Sequence, residues 1–145
     1  IKEWTARGFD VATIKHAHHE FEADTPGKDS WRHRKAGARQ VLVSSAIRSA
    51  HFIEHKTMEP ELAQLLDRLL PCDLVLIEGF KREPVPKMEI FRAELGKPNL
   101  YTEDNQIIAV ASDIAVKDCP LPVLDLNDIP KIADFVLQAV GLSSR

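Results

Sequence analysis

Several short stretches of this chain place phosphate- or metal-handling side chains close together. Lys15-His16-Ala17-His18-His19 supplies a cation and a group of imidazoles. They admit three readings: a phosphate-facing loop, a zinc site, or solvated loop histidines. Zinc needs three or four ligands in closed geometry, so Glu22, Asp24 or the distant His33 would have to complete the set, and no Cys pair supports it. Glu78 ends an apolar run and precedes Gly79. A carboxylate there reaches Mg²⁺ or a metal-bound water beside a phosphate, since Mg²⁺ takes one or two carboxylates plus phosphate oxygens and waters; it serves equally as an acceptor for a neighbouring loop. Gly27-Lys28-Asp29-Ser30 has the look of a phosphate loop, but Glu22 stands where that loop needs its first Gly, and Asp follows the Lys where Ser or Thr belongs. A turn leading into a helix capped by Asp29 or Ser30 fits as well, and a helix N-terminus attracts anions. Ser112-Asp113 follows Ile107–Ala111. An Asp in that place accepts two N–H donors from a guanine edge, which adenine does not offer, or simply makes a turn. Lys81-Arg82 reads as a solvated pair of charges or a phosphate contact.

Unalternated apolar runs position these groups. Asp10–Ile14, Gln40–Ser44 and Asp73–Ile77 have the composition of strands covered on both faces. Lys87–Phe91, Ile107–Ala111 and Pro122–Leu124 are further strand candidates. Helical patterns separate them. Ile1–Arg7 is stopped by Gly8, and Asp29–Ala36 by Gly37. Thr57–Leu70 carries Leu62, Leu65, Leu66 and Leu69 at helical spacing, with Pro60 in its first turn. Asp128–Val140 has Asn127 or Asp128 as cap, Pro130 in the first turn and Gly141 beyond its end. Alternating strands and helices predict an α/β fold: a mostly parallel sheet between helix layers, in a single domain over residues 1–145. Ligands of such sheets bind outside the carboxyl ends of the strands. The polar clusters all follow expected strands, which puts them on one rim.

Composition narrows the classes. Residues number 145, with formal net charge -3 and 28% charged residues. A basic face for duplex nucleic acid is not evident, and no apolar run approaches the ~20 residues needed to span a bilayer. Cys72 and Cys119 form no C-x-x-C pair and read as reduced structural thiols of a cytoplasmic protein.

Taken in order, Lys15-His16-x-His18-His19, Asp24-Thr-Pro-Gly-Lys28-Asp29-Ser30, Asp73-Leu-Val-Leu-Ile-Glu78-Gly79-Phe80-Lys81 and Ala109-Val-Ala-Ser112-Asp113 resemble the MobB family of molybdopterin-guanine dinucleotide biosynthesis adaptors. The resemblance continues through Leu124-Asp-Leu-Asn-Asp128 and the last helix. It implies a P-loop NTPase-like, GTP-binding homodimer that assists the guanylyltransferase MobA, with Mg²⁺, and is at most a weak GTPase. It implies a Walker B-like role for Glu78, with Gly79 beside it, and guanine recognition by Asp113, with Ser112 adjacent. It implies that the His16 to Ser30 region, Lys15 and Lys28 included, lies over the phosphates, and it leaves Asp24 and Glu78 as alternative metal ligands. The family's opening strand and G-x-x-x-x-G-K-[ST] loop do not occur in this sequence. The resemblance therefore implies about 25 further residues before Ile1, from typical element lengths. A small-molecule kinase or ligase on the same fold and a His-rich metal-binding module are the competing functions. No separate acceptor-binding region or long lid is visible for the first.

Overall fold

The computed structural model describes residues 1–17 and 21–143. The chain forms two compact units, Ile1–Ile14 with Leu70–Arg145, and Lys15–Leu69.

The larger unit begins with α1 (Lys2–Ala6), whose turn closes at Arg7 before Gly8 at φ 84°. Strand β1 (Val11–Lys15) starts in this unit and pairs with β4 (Leu74–Glu78). The amides of Asp73 and Leu74 donate to the Asp10 carbonyl at 2.9 and 3.2 Å. A second sheet has the order β5 (Lys87–Phe91), β6 (Ile107–Ser112), β7 (Val123–Asp125), and both pairings are parallel. The central strand β6 is nearly all buried, as an apolar run without alternation requires. Helix α4 (Ile129–Ala139) follows the sequence expectation closely: the Asp128 carboxylate accepts the Lys131 amide at 3.2 Å, Pro130 lies in the first turn, and Gly141 turns the chain out at φ 73°. The core gathers Trp4, Phe9, Leu74, Ala133 and Leu137. Trp4 Nε1 donates to the Ala133 carbonyl at 3.2 Å, so the buried indole keeps its hydrogen bond.

The smaller unit contains α2 (Asp29–Lys35), β2 (Gln40–Ser44), β3 (Ser49–Ile53) and α3 (Leu62–Leu66). Two expectations change here. Gln40–Ser44 is not a parallel strand covered on both faces. It forms an antiparallel hairpin with Ser49–Ile53, and only Val41 along it is buried. The four-residue turn explains the pairing: the Ser45 amide donates to the Arg48 carbonyl at 2.8 Å, and Ser45 Oγ accepts the Arg48 amide at 3.1 Å. The helix expected over Thr57–Leu70 is confined to Leu62–Leu66. Pro60 lies before it rather than in its first turn, because Glu61 is extended (ψ 156°) as the N-cap and its amide donates to Gln64 Oε1 at 3.0 Å.

The fold is α/β, as the sequence predicts, with strand pairing divided among three hydrogen-bonded sets. Among the described residues no helix is long and apolar enough to cross a membrane. Cys72 and Cys119 are free, half-buried thiols.

Candidate functional site

In the larger unit, β4 carries Glu78 out to its last position, where the side chain is exposed. The chain then turns sharply. Gly79 has φ 92° and Phe80 has φ 49°. The left-handed region is natural for Gly but uncommon for a bulky residue. Holding Phe80 there costs about 1–3 kcal/mol, a strain that tends to collect at ligand sites. The turn is closed by the Glu83 amide on the Phe80 carbonyl at 3.0 Å.

At the end of β6, Ser112 is 3% exposed and its Oγ accepts the Ile114 amide at 3.2 Å. The Leu126 amide donates to the Ser112 carbonyl at 2.9 Å, which continues the β6–β7 ladder. Asp113, the next residue, is exposed, and its Oδ1 accepts the Ala93 amide at 3.1 Å. Ser112 and Asp113 join Ile114–Val116 and Val123–Asp125 in lining a hollow of about 470 Å³. That volume lies within the usual range for small-molecule sites, roughly 300–1,000 Å³. Its walls mix apolar side chains with two carboxylates and a hydroxyl.

In the smaller unit, Thr25-Pro26-Gly27-Lys28 forms a tight turn. The Lys28 amide donates to the Thr25 carbonyl at 3.2 Å, and Gly27 at φ 85° supplies the left-handed residue that a type II turn with Pro at its second position requires. Lys28 is the N-cap of α2 and makes no side-chain cap. The expected capping by Asp29 or Ser30 does not occur. Asp29 sits in the first turn, where its charge suits the helix dipole, and Ser30 Oγ donates instead to Asp24 Oδ1 at 2.9 Å. Asp24 is heavily engaged: Oδ1 also accepts its neighbour's amide at 2.9 Å, Oδ2 accepts Arg34 Nε at 3.4 Å, and the side chain is 8% exposed. Arg34 also binds Glu22 and Glu54 and lies 5.0 Å from the Phe52 ring centroid. These carboxylates hold the Arg34 guanidinium above its usual range, Glu54 most strongly. A second hollow, about 540 Å³, lies against Arg34, Phe52 and Glu54.

His16 Nε2 is 2.7 Å from Glu59 Oε1. Lys15 ends β1 and is exposed. His18 and His19 lie outside the described residues. Among the described residues no group of three His, Cys, Asp or Glu side chains gathers as a metal site. Of the two carboxylates considered for Mg²⁺, Glu78 is exposed at a strand end. The Asp24 oxygens already serve Ser30, Arg34 and the backbone. Glu78, Gly79, Ser112 and Asp113 thus belong to the larger unit, and Lys15 to Ser30 to the smaller.

Sequence reasoning missed three residues. Arg34 as the hub of the smaller unit left no signal beyond its charge. Glu89, 7% exposed in β5, accepts the Leu100 and Tyr101 amides at 2.8 and 3.0 Å; a lone acid within an apolar strand was a visible hint. Ala93 acts through its backbone, which a sequence does not mark.

Comparison with known proteins shows the family. The model of the family MobB, "Molybdopterin guanine dinucleotide synthesis protein B", matches residues 1–113. The chain is 44% identical to the molybdopterin-guanine dinucleotide biosynthesis adapter protein of Haemophilus influenzae, covering 94% of this chain and 76% of that protein. It is 42% identical to the Escherichia coli adapter protein of the same description, covering 92% and 78%. Among solved structures, Bacillus subtilis MobB superposes with a TM-score of 0.74 at 27% identity, covering 99% of this chain and 86% of the other. A crystal structure of molybdopterin-guanine biosynthesis protein B gives 0.71 at 26% identity, covering 93% and 84%. This chain belongs to the MobB family of molybdopterin guanine dinucleotide synthesis proteins.

Proposed function

We propose that this protein binds GTP with Mg²⁺ and presents it to the guanylyltransferase MobA in the synthesis of molybdopterin guanine dinucleotide, working as a cytoplasmic homodimer that hydrolyses GTP slowly at most. The family's adapter role in that biosynthesis is the frame. The observation that carries the guanine-nucleotide reading is the hollow beyond β6 with Asp113 at its edge. One Asp113 oxygen is free to accept the N1–H of guanine while Oδ1 keeps a lone pair for the exocyclic N–H, since a carboxylate offers about four acceptor positions. Adenine presents no such donor pair. Glu78 would hold Mg²⁺, directly or through water, and the ion would neutralise phosphate charge. Gly79 beside it allows the backbone a close approach to phosphate.

The test is a reconstituted reaction with MobA, molybdopterin and limiting Mg²⁺-GTP. Adding the full-length protein is expected to raise the yield of dinucleotide, and the Asp113→Ala variant to give no increase. A yield indifferent to the wild-type protein would refute the adaptor reading.

A further inference from the structure

The link between β5 and β6 is the least ordinary part of the larger unit. Parallel neighbours are usually joined by a helix that leaves the sheet and returns. Here residues 92–106 carry only the 3₁₀ turn Ala93–Leu95, and the segment is fastened at several points. The two oxygens of buried Glu89 take the Leu100 and Tyr101 amides. Lys87 Nζ is 3.0 Å from Asp104 Oδ2. At its start the Ala93 amide donates to Asp113 Oδ1. The register explains this last contact: Phe91 stands opposite Ser112, so two residues later the chain passes the Asp113 side chain.

An exposed aspartate ordinarily swings among rotamers. This one is tied by a backbone donor that is itself on an anchored strap. We propose that the strap over residues 92–106 is a positioning element for base recognition: the Ala93 N–H fixes the plane of the Asp113 carboxylate, and Glu89 holds the strap that carries this donor. The inference rests on the reading of Asp113 as the guanine contact. The contact orients the carboxylate without blocking it, because one N–H uses one of its four acceptor positions. Preorganised, the carboxylate meets a guanine edge without first losing rotamer freedom.

Ala93→Pro removes this one donor with little disturbance. Ala93 is the first residue of the 3₁₀ turn, where Pro is tolerated. The preceding Arg92, at φ -128° and ψ 120°, already has the backbone that a residue before Pro prefers. Ala93→Ser keeps the N–H and serves as control. Titrations of the full-length protein with Mg²⁺-GTP and Mg²⁺-ATP are expected to show the GTP preference falling about 10-fold in Ala93→Pro, on the scale of one hydrogen bond to a charged group. ATP affinity should stay level, and Ala93→Ser should keep the wild-type preference. If Ala93→Pro does not fold, Glu89→Gln loosens the strap from its other end and should lower the preference in the same direction. A preference unchanged in a folded Ala93→Pro, or in its Glu89→Gln substitute, while Asp113→Ala erases it, overturns the strap proposal and leaves the guanine reading intact. A preference that survives Asp113→Ala overturns both.

Discussion

Glu78 and Asp113 in the larger unit stand exposed at strand ends, while Asp24, Glu22 and Glu54 in the smaller unit close around Arg34. The difference begins with burial. Strand β6 is covered along nearly its whole length, so its polar residues collect where the strand leaves the sheet. The hairpin β2–β3 is mostly exposed, with Leu42 at 68% and Ile47 at 93%. In the smaller unit the carboxylates gather instead around Arg34. A cluster of acids in a sequence therefore has two fates. At the end of a strand it stands exposed, and beside an arginine it is part of the scaffold.

Substitutions in the two units should have different effects. The largest effect should come from Leu137→Ala, which empties a fully buried position in the larger unit. It should cost about 2–5 kcal/mol in denaturant unfolding; a loss below about 1 kcal/mol would mean that the core is not where the stability of this unit lies. Glu78→Gln removes the proposed metal contact from an exposed position. Mg²⁺-dependent nucleotide turnover should fall about 10–100-fold, as for losses around a metal site. The opposite pattern is expected for Arg34→Ala. Hydrogen exchange should quicken through α2 and the β2–β3 hairpin, while β6 keeps its protection and GTP-over-ATP preference is unaltered. Equal quickening in both units would erase the distinction.

The smallest effect concerns pH. The Gln106 amide, and then Lys87, hold the Asp104 carboxyl below its usual range. A depressed carboxylate contributes stability above its unfolded value and loses it as pH falls through the folded one. Asp104→Asn should therefore flatten the stability–pH curve somewhere between about pH 5 and pH 1, and leave the curve near neutrality parallel to wild type.

Much of the larger unit was legible. Ile107–Ala111 and the Asp128–Val140 helix came through because burial and capping are local signals: apolar runs without alternation, an Asp cap, a Pro in the first turn, a Gly beyond. The smaller unit was read less well. Ser49–Ile53 has the alternation of neither a buried strand nor a helix, and only the Ser45–Arg48 turn makes it a strand. The leucine spacing from Leu62 was real, but Pro60 and the extended Glu61 bound the helix more tightly than periodicity suggests. For the candidate site, side-chain type singles out Glu78 and Asp113 as candidates. The engagement of Asp24 by Ser30 and Arg34 is tertiary, as is the backbone donor of Ala93, and neither is written in residue type.

We propose that the end of β6 reads a guanine base. Calorimetric titration of the full-length protein with Mg²⁺-GTP and Mg²⁺-ATP, in wild type and in Asp113→Ala, tests it most directly. The account predicts a clear GTP preference that disappears in the variant while ATP affinity is kept. Equal affinities in the wild type, or a GTP preference that outlives Asp113, would contradict it.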